Sequence, residues 1–251
     1  MQTLEKIKEK LKVFSRPDFI FDEIPHKYYL AGVNLPSATA IPHRFVKPVD
    51  WAYWHKKKGD EMGIEAHEVK AMWQATTDSA CLLGSNIHKF IENHIGEVAQ
   101  SIEDYTSEEQ VMIHSFLRFY ETRLTKLIPI AQELRMFSEA MQLCGTLDNL
   151  SWKPDAEGDG GKLYILDMKT NAKWEDDSNK KYSKMLNVFS TEYDNKANHY
   201  SIQLSIYWLM LESIGITIDG TFVIYIPREE ETTLIRCKDY RPQLKKYFNI
   251  N

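Results

Sequence analysis

Residues 145–170 read GTLDNLSWKPDAEGDGGKLYILDMKT. Two runs with strand composition flank PDAEGDGG, whose Asp and Gly residues suit a hairpin loop. In the second run, alternation places Leu163, Ile165, Asp167 and Lys169 on one face. That face begins apolar and ends on a carboxylate and an ammonium, although an unpaired buried ion is costly. The pair is about 6.6 Å apart along a strand, two rises of roughly 3.3 Å. In the first run Cys144, Thr146 and Asp148 share a face, so the hairpin can set Asp148 beside Asp167.

Neighbouring carboxylates repel, and one pKa rises unless a cation neutralises them. A divalent ion such as Mg²⁺ does so while keeping waters and room for phosphate oxygens. A structural Asp167–Lys169 ion pair at a strand end accounts for the same pattern.

The flanking sequence supplies the rest of an α/β fold. Residues 2–15 carry Leu4, Ile7 and Leu11 on one helical stripe. FIFDEIPHKYYLAGVNLPSATAI predicts short strands with a turn at Ala31-Gly32. Residues 50–76 predict polar, Trp-containing helix broken near Gly63. From Asp78, the residues Leu83, Ile87, Ile91, Ile95 and Val98 keep helical spacing. TSEEQ starts another helix, with Thr106 or Ser107 as cap and Glu109 or Gln110 three residues on.

IAQELRMFS, MQLCGTLDNLSW and KLYILDMKT are three strands. The polar stretch 171–195 is a long loop or flap, residues 196–213 a helix apolar nearly all round, and GTFVIYIPR a further strand. The tail 239–251 closes with a short helix. The order helices, three strands, helix, strand predicts an α/β core behind a mostly helical lobe, divided as 1–77 and 78–251.

Composition narrows the function classes. The net charge of −5 gives no global pull towards nucleic acid, so such binding needs local patches. Lys56, Lys57 and Lys58 form one candidate and Lys180, Lys181 and Lys184 another; a solvated face is the plainer reading of both. Three scattered cysteines without CxxC spacing exclude a zinc knuckle and cannot supply the four thiolates of an iron–sulfur cluster. The charged start and the lack of any apolar run near 18 residues predict a cytoplasmic protein with no membrane partner.

GTLD followed by ILDMKT resembles the PD-(D/E)XK nuclease signature, with Asp148 at the first acidic position and Asp167-Met168-Lys169 as the (D/E)XK element. GSNIHKFIE is similar to the histidine helix of the RecB-like branch and places His88; YSIQLSIYWLML is similar to its QxxxY helix and places Gln203 and Tyr207. Glu133, in QEL, matches the glutamate preceding the GxxD strand, and HKYYLAGVNLPSAT resembles N-terminal strands of phage and mitochondrial genome-maintenance exonucleases. The likeness spans roughly residues 20–230. Leu147 stands where the signature has Pro, and the literal Pro154-Asp155 lies in the loop.

The resemblance implies a restriction-endonuclease-like core, a central mixed sheet flanked by helices. It further implies a cluster-free, Mg²⁺- or Mn²⁺-dependent deoxyribonuclease, with a phage-encoded protein acting in a host cytoplasm as one setting. Asp148 and Asp167 would bind the metal directly, with His88, the Met168 carbonyl and Glu133 as further ligands. The residues alone also allow a local His88–Glu92 pair, one helical turn apart, and a strand-edge charge at Glu133.

Lys169 would orient water or offset transition-state charge, and Gln203 and Tyr207 would position Lys169, the water or a phosphate, or else form a polar pair satisfied by the sheet. The partner would be DNA, single-stranded or with free ends. Trp51, Tyr53 and Trp54 beside Lys56–Lys58 either stack on bases or serve as core aromatics. An endonuclease of the same fold and a non-catalytic nucleic-acid-binding subunit are the alternatives.

Overall fold

A computed structural model describes residues 3–156, 160–178 and 183–250; residues 157–159 of the expected hairpin loop, and Lys180 and Lys181 of the second basic patch, lie outside these. In chain order the elements are α1 (Leu4–Leu11), β1 (Phe19–Asp22), β2 (Lys27–Leu30), β3 (Val33–Leu35), α2 (Trp51–Met62), α3 (Ala66–Ile95) and α4 (Ser107–Arg123). Then follow β4 (Ile128–Ser138), β5 (Leu143–Pro154), β6 (Gly161–Lys169), α5 (Lys196–Ser213), β7 (Gly220–Tyr225), β8 (Thr233–Arg236) and α6 (Arg241–Phe248).

Local chemistry sets several of these boundaries. Ala31 and Gly32 both take positive φ, 49° and 78°, the two-residue turn that matches strand twist between Leu30 and Val33. Gly63 ends α2 at φ 69°. Thr106 caps α4, and Glu109 returns a bond to the Thr106 N–H. The buried Glu109 also accepts from Asn86 Nδ2 at 2.6 Å, which ties α4 to α3.

β1–β3 form a small antiparallel sheet, and β4–β8 a second sheet in sequential order. Within it β6 and β7 run parallel and the other pairs antiparallel. A parallel pair needs a crossover, and α5 supplies it. One sheet face, with Leu163, Ile165 and Val223, packs beneath α5, α6 and the N-terminal residues up to Phe45. The other, with Leu166, Met168 and Ile224, packs on α3 and α4. The molecule is therefore mixed α/β, a sheet between two helical layers.

Several features add to or differ from these expectations. α3 runs unbroken through the expected boundary at 77/78, with no Gly or Pro between Ala66 and Thr77 to stop it. Residues 7–45 bury their apolar side chains in the same core as the main sheet rather than in a separate lobe. Val98 is exposed beyond the end of α3 at Ile95. The short edge strand β8 has no counterpart in the sequence reading. Among the described residues, no helix is long and apolar enough to cross a membrane.

Candidate metal centre

The centre is assembled where β4, β5 and β6 stop pairing regularly. Gln132 pairs with Asn149 and Leu134 with Leu147, which puts Glu133 across from Asp148. Glu133 sits at φ 47°, a left-handed conformation that costs a non-glycine residue roughly 1–3 kcal/mol. The β5–β6 ladder ends at Asn149–Leu166, and just beyond it Asp148 Oδ2 accepts the Met168 N–H at 2.9 Å. Asp148 thus holds the fork between the two strands.

From α3, His88 brings Nδ1 to 3.6 Å from Asp148 Oδ2. One ligand-capable atom each from His88, Glu133 and Asp148 all lie within 4.8 Å of one another. Burial lowers the His88 pKa and Lys169 adds to this, while Asp148 and a hydrogen bond to the Met168 backbone pull it back only partly. The imidazole is therefore neutral, the form that ligates metals. The Glu133 side chain is exposed, yet partial desolvation and the facing carboxylates of Asp148, Glu92 and Asp167 push it up to about 7. These donors, two carboxylates and a neutral imidazole nitrogen, fit Mg²⁺ or Mn²⁺ better than a soft thiophilic ion.

Asp167, expected as a second metal ligand, lies beside this group and pairs with Lys169. The group that converges does not include Asp167. Its side chain is fully buried, neither oxygen accepts a well-formed hydrogen bond, and Oδ2 meets Lys169 Nζ at 2.5 Å as an ion pair. Burial raises Asp167 to about 7; Asp148 adds to the rise and Lys169 opposes it. Burial works against the Lys169 ammonium too, but Asp167 and Asp148 outweigh it and keep the lysine protonated. The shared strand face explains the pairing: the long lysine chain folds back over two residues onto the nearest carboxylate. Lys169 also lies 5.1 Å from the Tyr200 ring centroid.

α5 closes the centre from above. Gln203 Nε2 donates to Tyr207 Oη at 3.5 Å, both buried. Burial, then Asp167 and Asp148, raise the Tyr207 pKa, so its phenol stays protonated. The glycine of GTLD has a physical reason here. A Cβ on Gly145 would stand 2.7 Å from Tyr207 Oη and 2.8 Å from Cε1, closer than packed atoms allow. Met168 contributes backbone to Asp148 and His88, and its side chain to the α3–α4 core. Glu92 pairs with Lys89 at 2.8 Å rather than with His88.

Two clefts, of about 970 and 460 Å³, open on the centre and share His26, Glu92, Glu133 and Lys169 as lining. The larger runs along α3; the smaller lies under the β1–β2 hairpin and contains Arg135 and Tyr28. Sequence reasoning missed His26, Tyr200 and Arg135. His26 is the residue of HKYY at φ 50° on the hairpin tip, and that motif was the available signal.

No family model and no curated protein matches the chain. The functional reading therefore rests on the centre's own chemistry.

Proposed function

We propose that the chain is a metal-dependent deoxyribonuclease of the PD-(D/E)XK type, hydrolysing phosphodiester bonds from free DNA ends. What carries the reading is the convergence of His88, Glu133 and Asp148 within 4.8 Å, beside the Asp167–Lys169 pair. A Mg²⁺ or Mn²⁺ ion held there supplies charge neutralisation at phosphate and a water of lowered pKa.

The chain's own groups do the remaining work. Asp148, fixed by the Met168 N–H, and neutral His88 present lone pairs in a fixed orientation. Lys169, kept protonated, places positive charge where the phosphoryl oxygens gain negative charge. It is thus an electrostatic group and not a general base. Asp167 holds that ammonium in place. Gln203 and Tyr207 bound the space and offer donors to a phosphate or water. Each role is falsifiable by substitution.

The test is digestion of linear and covalently closed single-stranded DNA with Mg²⁺ or Mn²⁺, with EDTA as control. Expected are loss of linear DNA only, none in EDTA, and a drop of at least 100-fold for Asp148→Ala and Lys169→Ala. Equal cleavage of closed circles would replace the exonuclease with an endonuclease. Cleavage insensitive to EDTA or to both substitutions would remove this centre from the chemistry.

A further inference from the structure

Between Trp51 and Leu82 the α2–α3 hairpin buries only Gly59 and Val69. A helical pair with so little apolar burial has little packing to hold it. Yet it displays Trp51 at 58%, Tyr53 at 54% and Trp54 at 44% exposure. Trp51 and His55 lean on Trp73 of α3, with ring centroids 6.3 and 5.1 Å away. Lys57 Nζ lies 5.0 Å from the Trp54 ring centroid, in a Lys56–Lys58 run.

Trp73, Thr77, Cys81, Gly84 and His88 recur at spacings of three and four, so they form one stripe along α3. From Thr77 onwards this stripe is a wall of the larger cleft. It ends at the metal-centre histidine, about 22 Å from Trp73 at 1.5 Å per residue over fifteen residues. The side chains between are small: Thr76, Thr77, Ala80, Cys81, Gly84 and Ser85. Carboxylates of the arm are Asp60, Glu61, Glu65 and Glu68 at the hairpin tip and Asp78, which accepts from Gln74 Nε2 at 2.8 Å, while Glu92 and Glu133 line the cleft at its metal-centre end. Lys196 and Arg228 face the stripe across the cleft.

We infer that the α2–α3 arm is a stacking platform for single-stranded nucleic acid, whose strand follows α3 from Trp51 and Trp73 to the metal centre. Exposed rings with adjoining lysines fit unpaired bases and a phosphate backbone, whereas duplex bases are already stacked on one another. Continuity with the hydrolytic cleft selects this occupant over a second copy of the chain. The inference rests on the proposed nuclease reading and adds the form of substrate and the residues that grip it.

The test uses the full chain in EDTA, with fluorescein-labelled oligothymidylates of increasing length and a matching blunt duplex. Expected are quenching of tryptophan fluorescence by single strands and an affinity that climbs until the oligomer reaches the arm. Trp51→Ala with Trp73→Ala should weaken binding about tenfold or more, and Trp73→Phe should retain most of it. Circular dichroism melts establish that the variants are folded.

Unchanged affinity in the double variant, or equal affinity for the duplex, overturns the inference. So does a dimer that the substitutions dissociate while leaving binding intact. Hydrolysis of bis(p-nitrophenyl) phosphate by the unmodified chain separates the two readings, because that substrate is too small to reach the arm. Hydrolysis without arm-dependent binding sinks only the inference; arm-dependent binding without hydrolysis sinks only the nuclease.

Discussion

Substituting Gly145 tests the link between the GTLD motif and the helix that covers the centre. The added methyl of Gly145→Ala would overlap Tyr207, at 2.7 Å from Oη and 2.8 Å from Cε1. Tyr207 is 1% exposed and cannot swing into solvent. Overpacking of this kind costs about 1–3 kcal/mol. Against it stands a gain of about 0.4–1 kcal/mol, because alanine restricts the unfolded chain. The overlap outweighs the gain over most of these ranges, for a net loss of roughly 0–2.6 kcal/mol. In a domain of this size each kcal/mol lowers the melting temperature by about 2–4 °C.

A double-mutant cycle makes the reasoning exposed to refutation. Tyr207→Ala alone opens a cavity and costs about 3–5 kcal/mol, as for other large aromatics. In that background the new methyl fills space, so Gly145→Ala should cost nothing or stabilise slightly. Denaturant melts of the four proteins should therefore give a coupling energy of about 1–3 kcal/mol. An equal cost for Gly145→Ala in both backgrounds would show that Tyr207 is not what it strikes.

Glu133, raised to about 7, is protonated in the folded protein at pH values where the unfolded chain is ionised. Its contribution to stability, reduced by solvent screening at an exposed side chain, is full below the ordinary carboxylate range and is lost as pH rises through about 7. Melts in EDTA should fall across pH 5–8 and recover with Mn²⁺; a metal effect that is largest at pH 5 contradicts this. Glu133→Gly removes a ligand but relieves a left-handed backbone at φ 47°, so stability should change by less than about 1 kcal/mol while Mn²⁺ affinity drops; a loss above about 2 kcal/mol is the adverse result. Cys81 is exposed in the larger cleft, whereas Cys144 and Cys237 are pushed up to about 12 by burial. N-ethylmaleimide should therefore label Cys81 first and block DNA digestion, with protection by oligonucleotide; full activity of the labelled enzyme contradicts the cleft assignment.

Much of this arrangement is written locally in the sequence. The Thr106–Glu109 capping box, the Ala31-Gly32 turn and the alternation of Leu163, Ile165 and Asp167 each need only nearby residues. Strand alternation also singles out Asp148, whereas the resemblance to the nuclease motifs singles out His88 and Glu133. Pairing register was less accessible: whether Glu133 is an edge charge or faces Asp148 depends on how two strands align, and nothing local fixes that. For the same reason Asp148 and Asp167 looked like equal ligands, although Lys169 claims one of them. The unbroken α3 was obscured because its outer half has no buried stripe to continue the periodicity of its inner half. β8 is four residues long at a sheet edge, too short for a period to register.

Calorimetric titration of the metal-free chain with Mn²⁺ addresses the centre most directly, with His88→Ala, Asp148→Asn and Asp167→Asn alongside the natural sequence. Affinity should fall at least tenfold for the first two and distinctly less for Asp167→Asn, which sits outside the converging group. Binding that survives at His88 and Asp148 but vanishes at Asp167 would contradict the assignment of the centre.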